Sequence, residues 1–204
     1  MHFSNLITFL ALAASTIAAP QATTTTPETT PSPSLIPTGP LYRLRTCVKD
    51  TAKQQFNNLY LWAYHTGAGL NDAVFTNNAS ATYIAKGFMN DTHQEFNLGN
   101  PFPYGLELAE VNFYAGWQPV RINAGWGDGG FKLNGSGLVT DENYIDPATN
   151  YTGVAASWGG WLVCDWWHDE PQLFWRNKFY TVEEYPAPSS CADVDLIPEY
   201  LRAA

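Results

Sequence analysis

The chain is expected to be all-β, an antiparallel β-sandwich or β-barrel of about ten strands, and three features of the sequence predict it. Short runs rich in aromatic and β-branched residues recur between clusters of Gly, Pro and Asn, at the spacing of such folds. No helical periodicity extends over ten or more residues. The tryptophan-dense stretch Gly159–Lys178, GGWLVCDWWHDEPQLFWRNK, reads as a β-hairpin.

The predicted strands are Tyr42–Lys49, Asn58–His65, Ala73–Thr76, Thr82–Ala85, Glu95–Leu98, Leu106–Val111, Pro119–Asn123, Phe131–Leu133, Leu138–Thr140, Trp161–Trp167 and Gln172–Phe179. TGAGLND, GNPFPYG, GWGDGG and the pair Asn134-Gly135 supply the turns between them. The tail Val194–Leu201 is read as one helical turn. In the long hairpin, a four-residue loop His168–Pro171 and strict alternation put Leu162, Cys164, Trp166, Leu173 and Trp175 on a core face. The opposite face then holds Trp161, Val163, Asp165 and Trp167 against Gln172, Phe174, Arg176 and Lys178, rings beside hydrogen-bonding and charged groups.

Ahead of these strands, Met1–Ala19 carries the apolar run Leu6–Ala14, too short to span a bilayer and followed by small residues, the pattern of a secretory signal peptide. Pro20–Pro40 is dense in Thr, Ser and Pro and buries too little apolar surface to offset the entropy of ordering. It is expected to be a disordered stalk, with O-glycosylation favoured over a naked linker or pro-segment. Residues 41–204 then form a single β-rich domain. Sequons at Asn78, Asn90, Asn134 and Asn150 predict N-glycosylation of solvent-facing loops. No later stretch is long and apolar enough for membrane insertion, and the net charge of −9 argues against nucleic acid and anionic membrane surfaces.

Three cysteines in an oxidising compartment leave one over. Alternation in YRLRTCVK points Tyr42, Leu44, Thr46 and Val48 inward and Cys47 outward with Arg43, Arg45 and Lys49. Cys164 faces its hairpin's core side, and Cys191, after the turn YPAPSS, ties the tail to the sheet. A Cys164–Cys191 disulfide with Cys47 free is therefore predicted, Cys47–Cys191 being the alternative.

GWGDGG at residues 125–130 fits G-x-G-x-x-G, yet FKLNGSG follows as strand and turn rather than helix, so a hairpin loop bearing Trp126 and Asp128 is expected instead of a phosphate cradle. His65, His93 and His168 show no metal-ligand spacing; His168-Asp169-Glu170-Pro171 reads as a surface turn, and neither metal nor cofactor is expected. A glycosidase needs two opposed carboxylates. Asp165, flanked by Trp161 and Trp167, is the best single candidate, although a diagonal ion pair with Arg176 competes for it and Glu107 and Glu110 are the only alternates. No G-x-S-x-G elbow occurs. Two aromatic stripes could stack on sugar rings: Tyr60, Trp62 and Tyr64, and Trp161, Trp167 and Phe174. Core filling competes for both, and the inward face of the first is undecided because Leu59, Leu61 and Ala63 are apolar too.

NNLYLWAYHTGAGLNDAVFT (Asn57–Thr76), LGNPFPYGLEL (Leu98–Leu108) and GGWLVCDWWHDEPQLFW (Gly159–Trp175) together resemble an uncharacterised family of small secreted proteins of filamentous fungi. The resemblance spans most of Leu41–Phe179. It implies a mostly β, extracellular or cell-wall-associated fungal protein and brings no catalytic residue or cofactor. The hairpin is also similar to the carboxyl-terminal part of fungal cell-wall proteins, where one Cys precedes a short aromatic strand and a second follows; Cys164 and Cys191 match that arrangement.

The function expected from these residues is that of a secreted, glycosylated, non-enzymatic protein acting at the fungal wall or toward a host or microbial surface. Cell-wall polysaccharide is the expected partner, bound through Trp161, Asp165, Trp167, Phe174 and Arg176. The alternatives are a glycan-active hydrolase using Asp165 with a second carboxylate, and a host-directed effector.

Overall fold

Strand β1 (Tyr42–Val48) shows the alternation its sequence predicts: Tyr42, Leu44 and Thr46 are buried, while Arg43, Arg45 and Cys47 turn outward. The polar member of the inward set is satisfied. Thr46 Oγ1 donates to Phe56 O at 2.7 Å and accepts from Leu59 N at 2.9 Å, as a buried hydroxyl requires.

The computed structural model describes residues 39–110, 116–181 and 183–202. The expected signal peptide, the expected stalk as far as residue 38 and the end of the run Leu106–Val111 lie outside the described residues. Eleven further strands follow β1: β2 (Tyr60–Gly67), β3 (Leu70–Thr76), β4 (Lys86–Asn90), β5 (His93–Asn97), β6 (Tyr104–Leu108), β7 (Trp117–Ala124), β8 (Phe131–Asn134), β9 (Gly137–Thr140), β10 (Trp158–Asp165), β11 (Pro171–Asn177) and β12 (Cys191–Tyr200). Ten strands share one sheet in the order β10-β12-β1-β2-β3-β11-β7-β6-β5-β4, with β4 returning to β1 and β10 to β11. The architecture is a closed antiparallel barrel of nine strands with one strand beyond it, not a sandwich.

Closure at β4 needs a residue without a side chain. A Cβ on Gly87, which pairs with Tyr42, would lie 2.8 Å from Gln94 Nε2 and 3.1 Å from the Tyr42 ring. Inside, Leu44, Leu61, Phe75, Ile122, Trp161 and Trp175 belong to one apolar cluster. The separate hairpin β8–β9 adds Phe131 and Leu138 to it; Phe131 stacks on Trp161 at 6.4 Å, and the Trp161 indole N–H donates to Leu138 O.

Three expectations need correction. Thr82–Ala85 is not a strand, since only Ile84 bridges to Trp62, and β4 starts at Lys86. The tail is not helical: Cys191–Tyr200 pairs along β1 from Val48↔Val194 to Tyr42↔Tyr200 and along β10 from Cys164↔Cys191 to Trp161↔Val194. Its period of two, with Ala192, Val194 and Leu196 buried, outweighs the break that Pro198 suggests. The third concerns the long hairpin. β10 and β11 pair as Trp161↔Trp175 and Asp165↔Pro171, leaving a five-residue turn, 166–170, in place of the four-residue loop. Relative to the expected pairing the strands slip by an odd number of residues, so the two faces exchange partners.

The disulfide is Cys164–Cys191, and Cys47 is free and exposed. Because the bridge closes a separation of 27 residues, Cys164→Ala/Cys191→Ala is expected to lower unfolding free energy by about 3 kcal/mol, through lost restraint of the unfolded chain. Urea unfolding of the two proteins checks this.

Candidate functional site

The outward residues of β2 form the open aromatic surface. Leu61 and Ala63 face Phe75 and Ala73 of β3 inside the barrel, which settles the inward face of this strand and leaves Tyr60, Trp62 and Tyr64 outside. From the loop before β4, Tyr83 comes within 4.8 Å of the Trp62 ring centroid; Trp62 and Tyr64 are 5.6 Å apart. The turn after β10 extends the row. His168 lies nearly parallel on Tyr64, at 4.1 Å and 18°, and Trp167 sets against His168 at 5.5 Å. Tyr83, Trp62, Tyr64, His168 and Trp167 thus make one strip of five contacting rings, with Tyr83 and Trp167 strongly exposed at its ends.

Polar groups border the strip. Asp72, opposite Tyr64 on β3, places Oδ2 3.6 Å from His168 Nε2. Tyr60 donates to Glu199 Oε2 at 3.0 Å, and Arg45 Nε is 3.7 Å from the same oxygen. Trp62 Nε1, His168 Nε2 and Gln172 Oε1 are buried without hydrogen-bond partners among the described residues. Gln172 belongs to the same outer surface through its pairing with Val74, itself opposite Trp62.

Of the ligand-binding residues expected on the long hairpin, Trp167 alone joins this strip. Trp161 is in the barrel core with Val163, Leu173 and Trp175, a consequence of the hairpin's slipped register. Trp166, expected in the core, is 60% exposed and sets its ring edge-on to Phe174. Phe174 lies on the outer face but is buried with Leu162 and the disulfide, against Trp117 and Ala187. Arg176 is buried too. Its Nε and Nη2 bond both oxygens of Asp193 at 3.0 and 3.1 Å and its Nη1 bonds Tyr185 O, so the expected pair with Asp165 does not form. Asp165 is exposed at the end of β10, where its backbone N–H donates to Ser190 O.

A second region gathers carboxylates. The glycine loop 125–130 lies flat on β6, so close that a Cβ on Gly105 would be 2.1 Å from Gly127 N. The close approach explains Gly105 and Gly127, while Gly129 and Gly130 lie against the Tyr144 ring and Gly125 has a φ of 123°. The loop inserts Asp128 beside Leu108, whose N–H donates to Asp128 Oδ2 at 2.6 Å. Burial raises the Asp128 carboxyl to about 6 and the nearby Glu107 adds to the rise, while the Leu108 N–H opposes it. Asp128, Leu108 and Glu110 separate a cavity of about 530 Å³, walled by Tyr144, Asp146 and Tyr151, from a recess of about 560 Å³ at Glu107 and Arg121. A carboxyl titrating there is a competent proton donor, and its surroundings suit that role far better than those of Asp165. Behind the loop, the wholly buried Glu95 is likewise shifted upward by desolvation. Among the described residues no group of three or more His, Cys, Asp or Glu is placed to hold a metal ion.

The four sequons differ in setting. Asn78 and Asn134 are exposed and form Asx turns, each Oδ1 accepting the N–H of its own sequon serine, Ser80 at 3.1 Å and Ser136 at 2.8 Å. Asn150 is exposed with a φ of 53°. Asn90 is half-buried, and its amide nitrogen donates to Glu95 Oε1 at 3.0 Å.

Nothing in the sequence singles out His168, Tyr83 or Asp128 as a site residue. The contact of His168 with Tyr64 joins the turn after β10 to β2 and carries no local signal; for Tyr83 and Asp128 the only hint is an aromatic or acidic residue inside a turn.

A family model described as a domain of unknown function (DUF7907) matches residues 39–200, and the chain belongs to that family. No curated protein and no solved structure matches it.

Asp128 binds its proton more tightly folded than unfolded, so its contribution to stability is complete below about pH 4 and declines as pH rises through about 6, by about 2–3 kcal/mol in all. Asp128→Asn is expected to flatten that part of the stability profile in urea titrations between about pH 3.5 and 7.5; a variant profile parallel to the wild type contradicts the assignment. Glycopeptide mass spectrometry of protein secreted from a eukaryotic host is expected to find sugar on Asn78 and Asn134 and none on Asn90, whose nitrogen is engaged with Glu95.

Proposed function

Starting from membership of a family with no assigned function, we propose that this barrel is a non-catalytic carbohydrate-binding domain of a secreted fungal glycoprotein. It acts at the cell wall or on another glycan-bearing surface. The observation that carries the reading is the strip Tyr83, Trp62, Tyr64, His168 and Trp167 on the outside of a closed barrel. Aromatic faces stack on the C–H faces of pyranose rings, and bordering carboxylate, amide and indole groups bond sugar hydroxyls. A row of contacting rings offers successive stacking positions, as a polymer requires. The apolar leader, the sequons and the disulfide support an extracellular setting. Among the described residues no helix is long and apolar enough to cross a membrane.

The binding reading is favoured over hydrolysis because the carboxylates bordering the strip are engaged with protein groups, Asp72 beside His168 and Glu199 with Tyr60 and Arg45, while the carboxyl suited to proton donation, Asp128, belongs to the glycine-loop region. The test is retention on insoluble chitin, β-glucan and mannan, with intrinsic tryptophan fluorescence following soluble fragments. Trp62→Ala and Trp167→Ala are each expected to weaken binding roughly tenfold, the loss of about 1–1.5 kcal/mol of ring contact. Trp166→Ala, equally exposed but turned toward Phe174, is expected to bind like the wild type. Failure of the wild type to bind any of the three polysaccharides overturns the reading.

A further inference from the structure

The conformation of one turn bordering the strip bears on how the strip is occupied. Between β10 and β11, His168 (φ 70°, ψ 14°) and Asp169 (φ 57°) are consecutive non-glycine residues in the left-handed region. Side chains with a Cβ adopt that region at a steric cost that is smallest for Asn, Asp and His, and contacts around the turn help to hold it.

Here those contacts converge on one ring. The His168 imidazole lies on Tyr64 at 4.1 Å and 18°, the closest and most nearly parallel contact in the strip; its Nε2 is 3.6 Å from Asp72 Oδ2, and Trp167 sets edge-on against it at 5.5 Å. The set is incomplete in its polar part. Among the described residues His168 Nε2 has no hydrogen bond, since 3.6 Å is beyond that reach, and Gln172 Oε1, in the strand that leaves the turn, is also buried without a partner. A buried acceptor left unmatched is a cost that a donor-bearing ligand removes.

Resting on the sugar-platform reading, we infer that the His168 side chain is a displaceable cover, holding the place on Tyr64 that a neutral pyranose ring of the ligand takes. When the sugar enters, its C–H face replaces the imidazole on the phenol ring, and its hydroxyls donate to the Asp72 carboxylate and the Gln172 carbonyl oxygen. The surroundings suit a neutral or donor-rich sugar rather than an anionic one, because Asp72, opposite Tyr64, is a carboxylate and Gln172 carries an unpartnered acceptor oxygen next to Val74, the residue opposite Trp62.

The sign of one substitution separates a cover from a member of the platform. His168→Asn removes the ring, and asparagine tolerates the left-handed conformation. Full-length protein titrated with hexasaccharides of chitin, β-glucan and mannan is expected to bind about two- to tenfold more tightly as His168→Asn, the stacking contact no longer having to be broken. Unchanged or weaker binding overturns the inference. In the wild type, the His168 ring protons, shielded by Tyr64 in the free protein, are expected to return to ordinary chemical shifts at saturation; shielding that survives in the bound state overturns it as well. Tyr64→Ala serves as the reference that abolishes the position. Absence of binding by both wild type and His168→Asn brings down the platform reading itself, whereas binding that persists with His168 still stacked brings down only the cover.

Discussion

The pairing of β10 with β11 decides the character of both sides of this barrel. With Trp161 opposite Trp175 and Val163 opposite Leu173, four large apolar side chains enter the interior together. Leu162, Cys164 and Phe174 are left outside, where they could not stay exposed without cost. Because side chains alternate with a period of two, no intermediate arrangement exists: an odd shift of register exchanges every partner at once. The turn that permits this register contains two left-handed residues, so its strain is coupled to core packing rather than to local preference.

The outside of the barrel consequently has two halves. Over β10 and β11 the apolar residues are covered by Trp117, Ala187 and the Cys164–Cys191 bridge, and Arg176 is drawn down with them. A guanidinium that is almost wholly buried needs both its charge and its donors matched, and Asp193 with Tyr185 O supplies this through three hydrogen bonds. Over β2 and β3 the cover is partial: Val74 and Gln172 are buried, whereas Trp62 and Tyr64 are half-buried. There the rings of Trp62 and Tyr64 stay accessible enough to meet Tyr83 and His168, and the protein keeps aromatic surface in contact with solvent.

The same disulfide has a second consequence, since Cys191 begins β12. Fixing that residue opposite Cys164 sets the register of β12 on β10 and so on β1, where it runs the full length of the strand. At the glycine loop, close packing of backbone on backbone displaces water from carboxylates. Asp128 and Glu95 are held partly or wholly out of solvent, and both shift toward the protonated form for that reason.

How much of this was legible in the residues depends on the range of the interaction that decides each part. Alternation in Tyr42–Val48, turn residues such as Gly69 and Gly137, and the partnership of Cys164 with Cys191 are local or nearly local, and the sequence alone determined them along with the all-β class. It also marked Tyr60, Trp62, Tyr64 and Trp167 as rings worth attention. Only the tertiary structure decided which face of β2 looks out, because Leu61 and Trp62 are both apolar and the choice rests on Phe75 and Val74 across the pair. It decided that Trp161 is core, through an odd register shift that no period-two pattern can reveal, and that Cys191–Tyr200 is a strand, through pairing on both sides. It alone brought His168 onto Tyr64 and Asp128 beside Leu108. Those meetings join segments far apart in the chain, and their energy comes from burial and stacking that exist only once the barrel has closed.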